Sequence, residues 1–258
     1  MLSGKRLEIG TVVFVLLIAA VGIFVFRPNW IVRILAKLSP GVVYFAETEE
    51  PVVALTIDDG PDAAATSKIL DLLKRHEARA TFFVITSRVP GKEEILRRTV
   101  GEGHELGNHL TSDEPSILFS PLEFEQRLIE AHRVLSPFSG GRWFRPGSGW
   151  YNKRMLSIIR KHGYQCALGS VYPFDPQIPS SWFATHYVIW NVQPGSIIVL
   201  HDYGKRGERT TETLAAILPE LNRRGFRVVT LSDLMDMNSK EKQKAQKGWL
   251  AGIEDRKE

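Results

Sequence analysis

Between residues 51 and 235 the chain alternates short apolar runs with stretches of helical periodicity, and this alternation limits the fold more than any other feature. Residues 52–57 form a continuous apolar run ending in Asp58-Asp59-Gly60-Pro61. Such a run suits a strand buried on both faces. Residues 66–76 then repeat at helical spacing, and 79–85 are rich in β-formers. The pattern continues with helices over 93–102 and 121–135, a strand at 143–144, a helix over 152–162 and strands over 164–168 and 196–200. A helix over 210–224 and a last strand over 226–229 complete it. Repeated β-then-α units predict an α/β fold with a mainly parallel sheet. Neither common glycine-rich phosphate loop is present, which argues against nucleotide binding.

The flanks read differently. Residues 9–26 are 18 uncharged positions, preceded by Lys5 and Arg6 and followed by Arg27. A helix of that length spans roughly 27 Å, near the lower limit for a bilayer core. The bulky Ile23, Phe24, Val25 and Phe26 make a poor cleavage site, so 1–27 is predicted to be an uncleaved, single-pass membrane anchor. Basic residues are nearly balanced across the span, so charge does not set its orientation. Residues 28–50 read as a stalk with an amphipathic helix through Trp30, Ile31, Ile34 and Leu35. Residues 51–235 are the expected functional domain, and 236–258 a solvated tail rich in Lys, Glu and Gln. The net charge of +4 is thinly spread, which argues against a nucleic-acid partner. Cys166 is the single cysteine, so no intramolecular disulfide or multi-cysteine zinc site exists; it reads as a small buried hydrophobe.

In parallel α/β folds chemistry collects at the carboxyl ends of strands. Asp58 and Asp59 lie at the first such end, where two adjacent carboxylates are costly unless a cation neutralises them. The plainer alternative is that one of them caps the next helix. His109 and Asp113 are four apart, so in a helical turn they could hold one metal ion, although such pairs are also common in ordinary loops. Arg145, Asp175 and His201-Asp202 each follow an apolar segment. His76, His104, His132, His162 and His186 lack such a context. Trp150, Tyr151, Tyr172 and Tyr203 flank the polar positions and suit either packing or a sugar site.

The blocks Thr56-Ile57-Asp58-Asp59-Gly60-Pro61, Ala80-Thr81-Phe82-Phe83-Val84, Gly107-Asn108-His109, Arg145-Pro146 and Leu200-His201-Asp202 stand in an order that resembles the polysaccharide deacetylases of the NodB-homology type, carbohydrate esterase family four. The resemblance covers about residues 50–235. It implies a distorted (β/α) barrel of about seven parallel strands. It also implies a divalent-metal hydrolase, with zinc the expected ion, that removes N-acetyl or similar acyl groups from an amino-sugar polymer or glycan. Asp58 then matches the general base, Arg145 its partner, His201 the general acid and Asp175 the carboxylate that orients it. Asp59 and His109 match metal ligands. The family's His-x-x-x-His becomes His109-x-x-x-Asp113 here, so Asp113 is the expected third ligand, with Glu114 or water as the alternative. An anchored enzyme of this kind is expected to face outward from the cytoplasm. The rival functions are an inactive glycan-binding module of the same fold and a phosphatase with Asp58 as nucleophile.

Overall fold

The computed structural model describes residues 29–138 and 141–254, with Phe14, Val15 and Gly22 besides. The expected anchor over 9–26 otherwise lies outside the described residues. Among the described residues no helix is long and apolar enough to cross a membrane. The chain divides into two units, Met1–Pro40 and Gly41–Glu258. In the first, α1 (Asn29–Leu38) is the helix expected from the spacing of Trp30, Ile31, Ile34 and Leu35. Its Trp30, Ile34 and Leu35 are exposed.

The second unit is built on one eight-stranded parallel sheet. Its strands are β1 (Val42–Val43), β2 (Val52–Asp58), β3 (Ala80–Val84), β4 (Glu105–Asn108), β5 (Trp143–Phe144), β6 (Gln165–Ala167), β7 (Ile197–His201) and β8 (Arg227–Val229). They run in the order β1-β6-β5-β4-β3-β2-β7, and β8 pairs with the start of β2. Two isolated bridges, Phe45 to Ser196 and Val171 to Ile198, tie the β1–β6 end of this curled strip to β7 and its approach. The arrangement agrees with the expected parallel (β/α) architecture.

Helices α2 (Ala65–Arg75), α3 (Glu93–Gly101), α4 (Pro121–Leu135), α5 (Lys153–Lys161), α6 (Ser181–Asn191), α7 (Lys205–Arg223) and α8 (Leu231–Glu254) complete the unit. Three differences from expectation have local causes. Residues 42–46 were expected in the stalk, yet β1 pairs with β6 and the Ala46 amide donates to the Gly195 carbonyl at 2.9 Å. A two-residue strand carries no periodicity, and its partner lies far along the chain. Helix α6 was not expected because its apolar residues form no single stripe; Ser180 caps it by accepting from the Phe183 amide. The segment expected as a tail continues α8 as helix to Glu254.

The two-residue period of β2 decides where chemistry sits. Val53, Leu55 and Ile57 pack outward with Ile69 and Leu73 of α2 and Leu214 and Ile217 of α7. Val52 and Ala54 face the other way, into a second cluster with Phe83, Trp143 and Ile197. Thr56 and Asp58 continue this inner face, so it is apolar at its floor and polar at the strand ends. Gly107 in β4 allows the close approach of Phe83, since a Cβ there would lie 2.6 Å from the ring.

Candidate active site

Asp58 is the last residue of β2 and pairs in register with His201, the last residue of β7. Both are buried. Arg145, just beyond β5, donates from Nη1 to Asp58 Oδ1 at 2.6 Å and to Thr56 Oγ1 at 2.8 Å. Its Nε and Nη2 donate to the carbonyls of Ala167 and Leu168 at 3.0 and 2.7 Å. The guanidinium lies 4.1 Å from the Phe83 ring centroid. With 3% of its surface exposed, Arg145 is fixed by these partners and can only serve the inner face.

His201 donates from Nδ1 to both oxygens of Asp175, at 3.0 and 2.9 Å. This leaves Nε2 as the nitrogen free of the pair. Burial alone would push His201 down. The charge and hydrogen bond of Asp175, with the charges of Asp58 and Asp59, outweigh burial and raise it to about 9. Asp175 follows no regular strand; it is delivered by the loop after the Val171 bridge, and its side chain is buried.

Asp59 has a positive φ of 78°, a conformation that costs a residue with a Cβ about 1–3 kcal/mol. Its amide donates to the Phe83 carbonyl at 3.1 Å, and its own carbonyl accepts from Arg88 Nη1 at 2.6 Å. These bonds hold the turn that aims its carboxylate at His109, whose Nε2 lies 3.5 Å from Asp59 Oδ1. His109 Nδ1 donates to the Arg145 carbonyl at 2.7 Å. Neither Asp58 nor Asp59 caps α2. That task falls to Asp62, whose Oδ1 accepts from the amides of Ala64 and Ala65 at 3.0 and 2.9 Å.

The polysaccharide deacetylase family profile matches residues 45–167. A peptidoglycan-N-acetylglucosamine deacetylase of Bacillus cereus is 33% identical over 202 residues, covering 75% of this chain and 92% of the relative. The chain belongs to the polysaccharide deacetylase family. A chitooligosaccharide deacetylase of Bradyrhizobium is also 33% identical, over 70% of this chain and 90% of its own length. Among solved structures, a peptidoglycan N-acetylglucosamine deacetylase superposes with a TM-score of 0.72 at 30% identity, covering 75% of this chain and 92% of that one.

Within this family member two of the three expected metal ligands, Asp59 and His109, adjoin, and the third does not join them. Asp113 is 46% exposed and turns to two arginines: Arg88 Nη2 at 2.9 Å and Arg206 Nη2 at 3.4 Å. Glu114 faces away as well, against Ser112 and Arg127. Among the described residues no three His, Cys, Asp or Glu side chains converge as a metal-holding group. The free oxygen of Asp59, Oδ2, accepts from Arg206 Nη1 at 2.6 Å. A divalent ion at that oxygen would have to displace the guanidinium or share the site with its positive charge. The side chains as arranged do not fit a three-ligand divalent site, and the expected role of Asp113 is corrected on that geometry.

Arg88 and Arg206 stand outside every motif of the sequence, and Asp202 is marked there only as the end of the Leu200-His201-Asp202 block, without a role. Arg88 also stacks on Tyr203, with its guanidinium 3.6 Å from the ring centroid. Asp202 is wholly buried, with Oδ2 accepting from Thr66 Oγ1 at 2.6 Å, and burial lifts it to about 7. Gly60 makes room for it, because a Cβ there would collide with the Asp202 carboxylate. A signal for Arg206 did exist: Lys205 and Arg206 open α7, where the helix dipole favours acidic residues.

The remaining candidates take structural places. His104 is buried, its Nδ1 accepts from the Ala80 amide, and burial pushes it down to about 4. Burial pushes the Cys166 thiol up to about 12, as suits an inert core residue. The Tyr151 hydroxyl meets that of Tyr44 at 2.8 Å, while Trp150 stays exposed beside the turn after Arg145.

Proposed function

We propose that this chain hydrolyses the N-acetyl group of an amino-sugar glycan, with peptidoglycan or chitooligosaccharide as the substrate class. The observation that carries the proposal is the opposition of Asp58 and His201 across β2 and β7, each held by its own buried partner. Water held at Asp58 attacks the acetamide carbonyl, and Asp58 takes its proton as the C–O bond forms. The protonated His201 then gives its proton to the departing nitrogen as the C–N bond breaks. The products are acetate and the free amine. Arg145 holds and aims the Asp58 carboxylate, and Asp175 keeps His201 protonated at neutral pH.

The names of the relatives support the amide of an amino sugar as the bond cut. A second reading, glycan binding without hydrolysis, draws on the arginine that faces Asp59. A phosphatase with Asp58 as nucleophile accords less well, because it leaves the His201–Asp175 pair without a task. Incubating the protein with N-acetylated chitooligosaccharide and following product mass separates these readings. Loss of acetyl groups with matching new amines supports the first, and binding without mass change supports the second.

The role of Asp175 predicts a pH effect. His201 lies above its ordinary 6.5, so its contribution to stability is complete below pH 6.5 and is lost as pH rises toward about 9. The alkaline limb of the pH–rate profile is expected near the same value. Asp175→Asn removes the partner charge and is expected to move that limb down by about one to three units. It should also flatten the fall in stability across that window. Both are read from pH–rate and pH–denaturation curves; a limb that stays in place would assign the proton donor elsewhere.

A further inference from the structure

We infer that Arg206 is the built-in cation of this site, with its guanidinium taking up the Asp59 oxygen that a divalent ion would need. Asp59 and His109 are side by side, so two ligands of a metal site are present. What separates them from a third is the placement of two arginines. Arg206 Nη1 lies 2.6 Å from Asp59 Oδ2, and Nη2 reaches toward Asp113. Arg88 fixes the other end of the arrangement by donating to the Asp59 carbonyl and the Asp113 carboxylate. The two acidic side chains are thus linked through one guanidinium, and each negative charge has a positive partner within the protein.

The placement of Arg206 follows from its backbone. Gly204 has a positive φ of 58°, and α7 begins directly after it, so the second residue of the helix stands beside the end of β7. A Cβ on Gly207 would collide with Ala65 and the Asp202 carbonyl, so α7 starts in close contact with this corner of the site. Arg206 is 31% exposed along its side chain, which lets the guanidinium reach Asp59 from the rim without being part of the core. A fixed arginine differs from a metal ion in two ways. It neutralises Asp59 through directed hydrogen bonds, and it offers no open coordination position for water.

The consequence is that affinity for divalent ions is low in the natural chain and is limited by Arg206. The test titrates zinc and cobalt into the purified, chelator-treated full chain without substrate, by calorimetry and by thermal shift. The wild type is expected to show no tight stoichiometric site and no rise in Tm. Arg206→Gln is expected to bind at least about tenfold more tightly, with a rise in Tm on adding zinc. Adding His109→Gln to Arg206→Gln should abolish that gain, which ties the ion to Asp59 and His109. Arg206→Lys, which keeps a cation, should bind weakly like the wild type. One tightly held ion in the wild type would overturn the inference, whichever variants fold. An affinity unchanged in a folded Arg206→Gln would overturn it as well. Because binding is read without substrate, failure here is distinct from failure of the deacetylase proposal, which is read from acetate release.

Discussion

His201→Ala is expected to lower the turnover of an N-acetylated glycan by about 10²–10⁴-fold, the usual cost of removing a positioned proton donor. An amine leaves poorly as an anion, and Nε2 of the Asp175-paired imidazolium is the donor nearest to hand in the proposed reaction. A substrate with a better leaving group needs that proton less. An activated acetate ester should therefore lose much less rate in the same variant. Measuring kcat for both substrates, with the fold checked by circular dichroism, decides the point. Equal losses would show that His201 acts by holding the site together, and unchanged turnover would remove it from the mechanism.

Arg145→Met is expected to destabilise the fold by about 3–5 kcal/mol, because it leaves a buried carboxylate without its partner. The guanidinium makes four hydrogen bonds, to Asp58, Thr56, Ala167 and Leu168, so one side chain joins the ends of β2 and β6. Pairing Arg145→Met with Asp58→Asn removes the unpaired charge and should recover part of the loss. Denaturant midpoints of the two variants test this. A midpoint unchanged in Arg145→Met would mean that the Arg145–Asp58 pair does not hold these strand ends, and the proposed base would lose its support.

The sequence revealed those parts of the fold whose signal is local. The run over 52–57 contains one face for the helices and one for the interior, and β2 is buried along its whole length. The apolar segments also end where the polar residues begin, so Asp58, Asp59, His109, Arg145 and His201 could be placed near one another from spacing and family resemblance. Asp175 was visible as a polar residue after an apolar segment, but only the resemblance gave it a role, since a loop and not a regular strand delivers it. Contacts made over long distances in the chain left no such trace. Nothing near residue 42 indicates that it will pair with Cys166. Asp113 stands at the spacing of a ligand, yet its carboxylate answers to Arg88 and Arg206, which come from two other segments. A four-residue interval defines where a side chain starts, and neighbouring charges decide where it points. The same holds for the paired aspartates, where the capping role passes to Asp62, three residues further on.

In the proposed reaction the paired carboxylate and histidine at the ends of β2 and β7 cleave an acetamide. The most direct measurement is acetate and free amine released together from N-acetylated chitooligosaccharide by the purified protein, with Asp58→Asn as the comparison. Equal amounts of the two products are expected from the wild type, and a rate at least about 10²-fold lower from a folded Asp58→Asn. Release that persists unchanged in Asp58→Asn would contradict it.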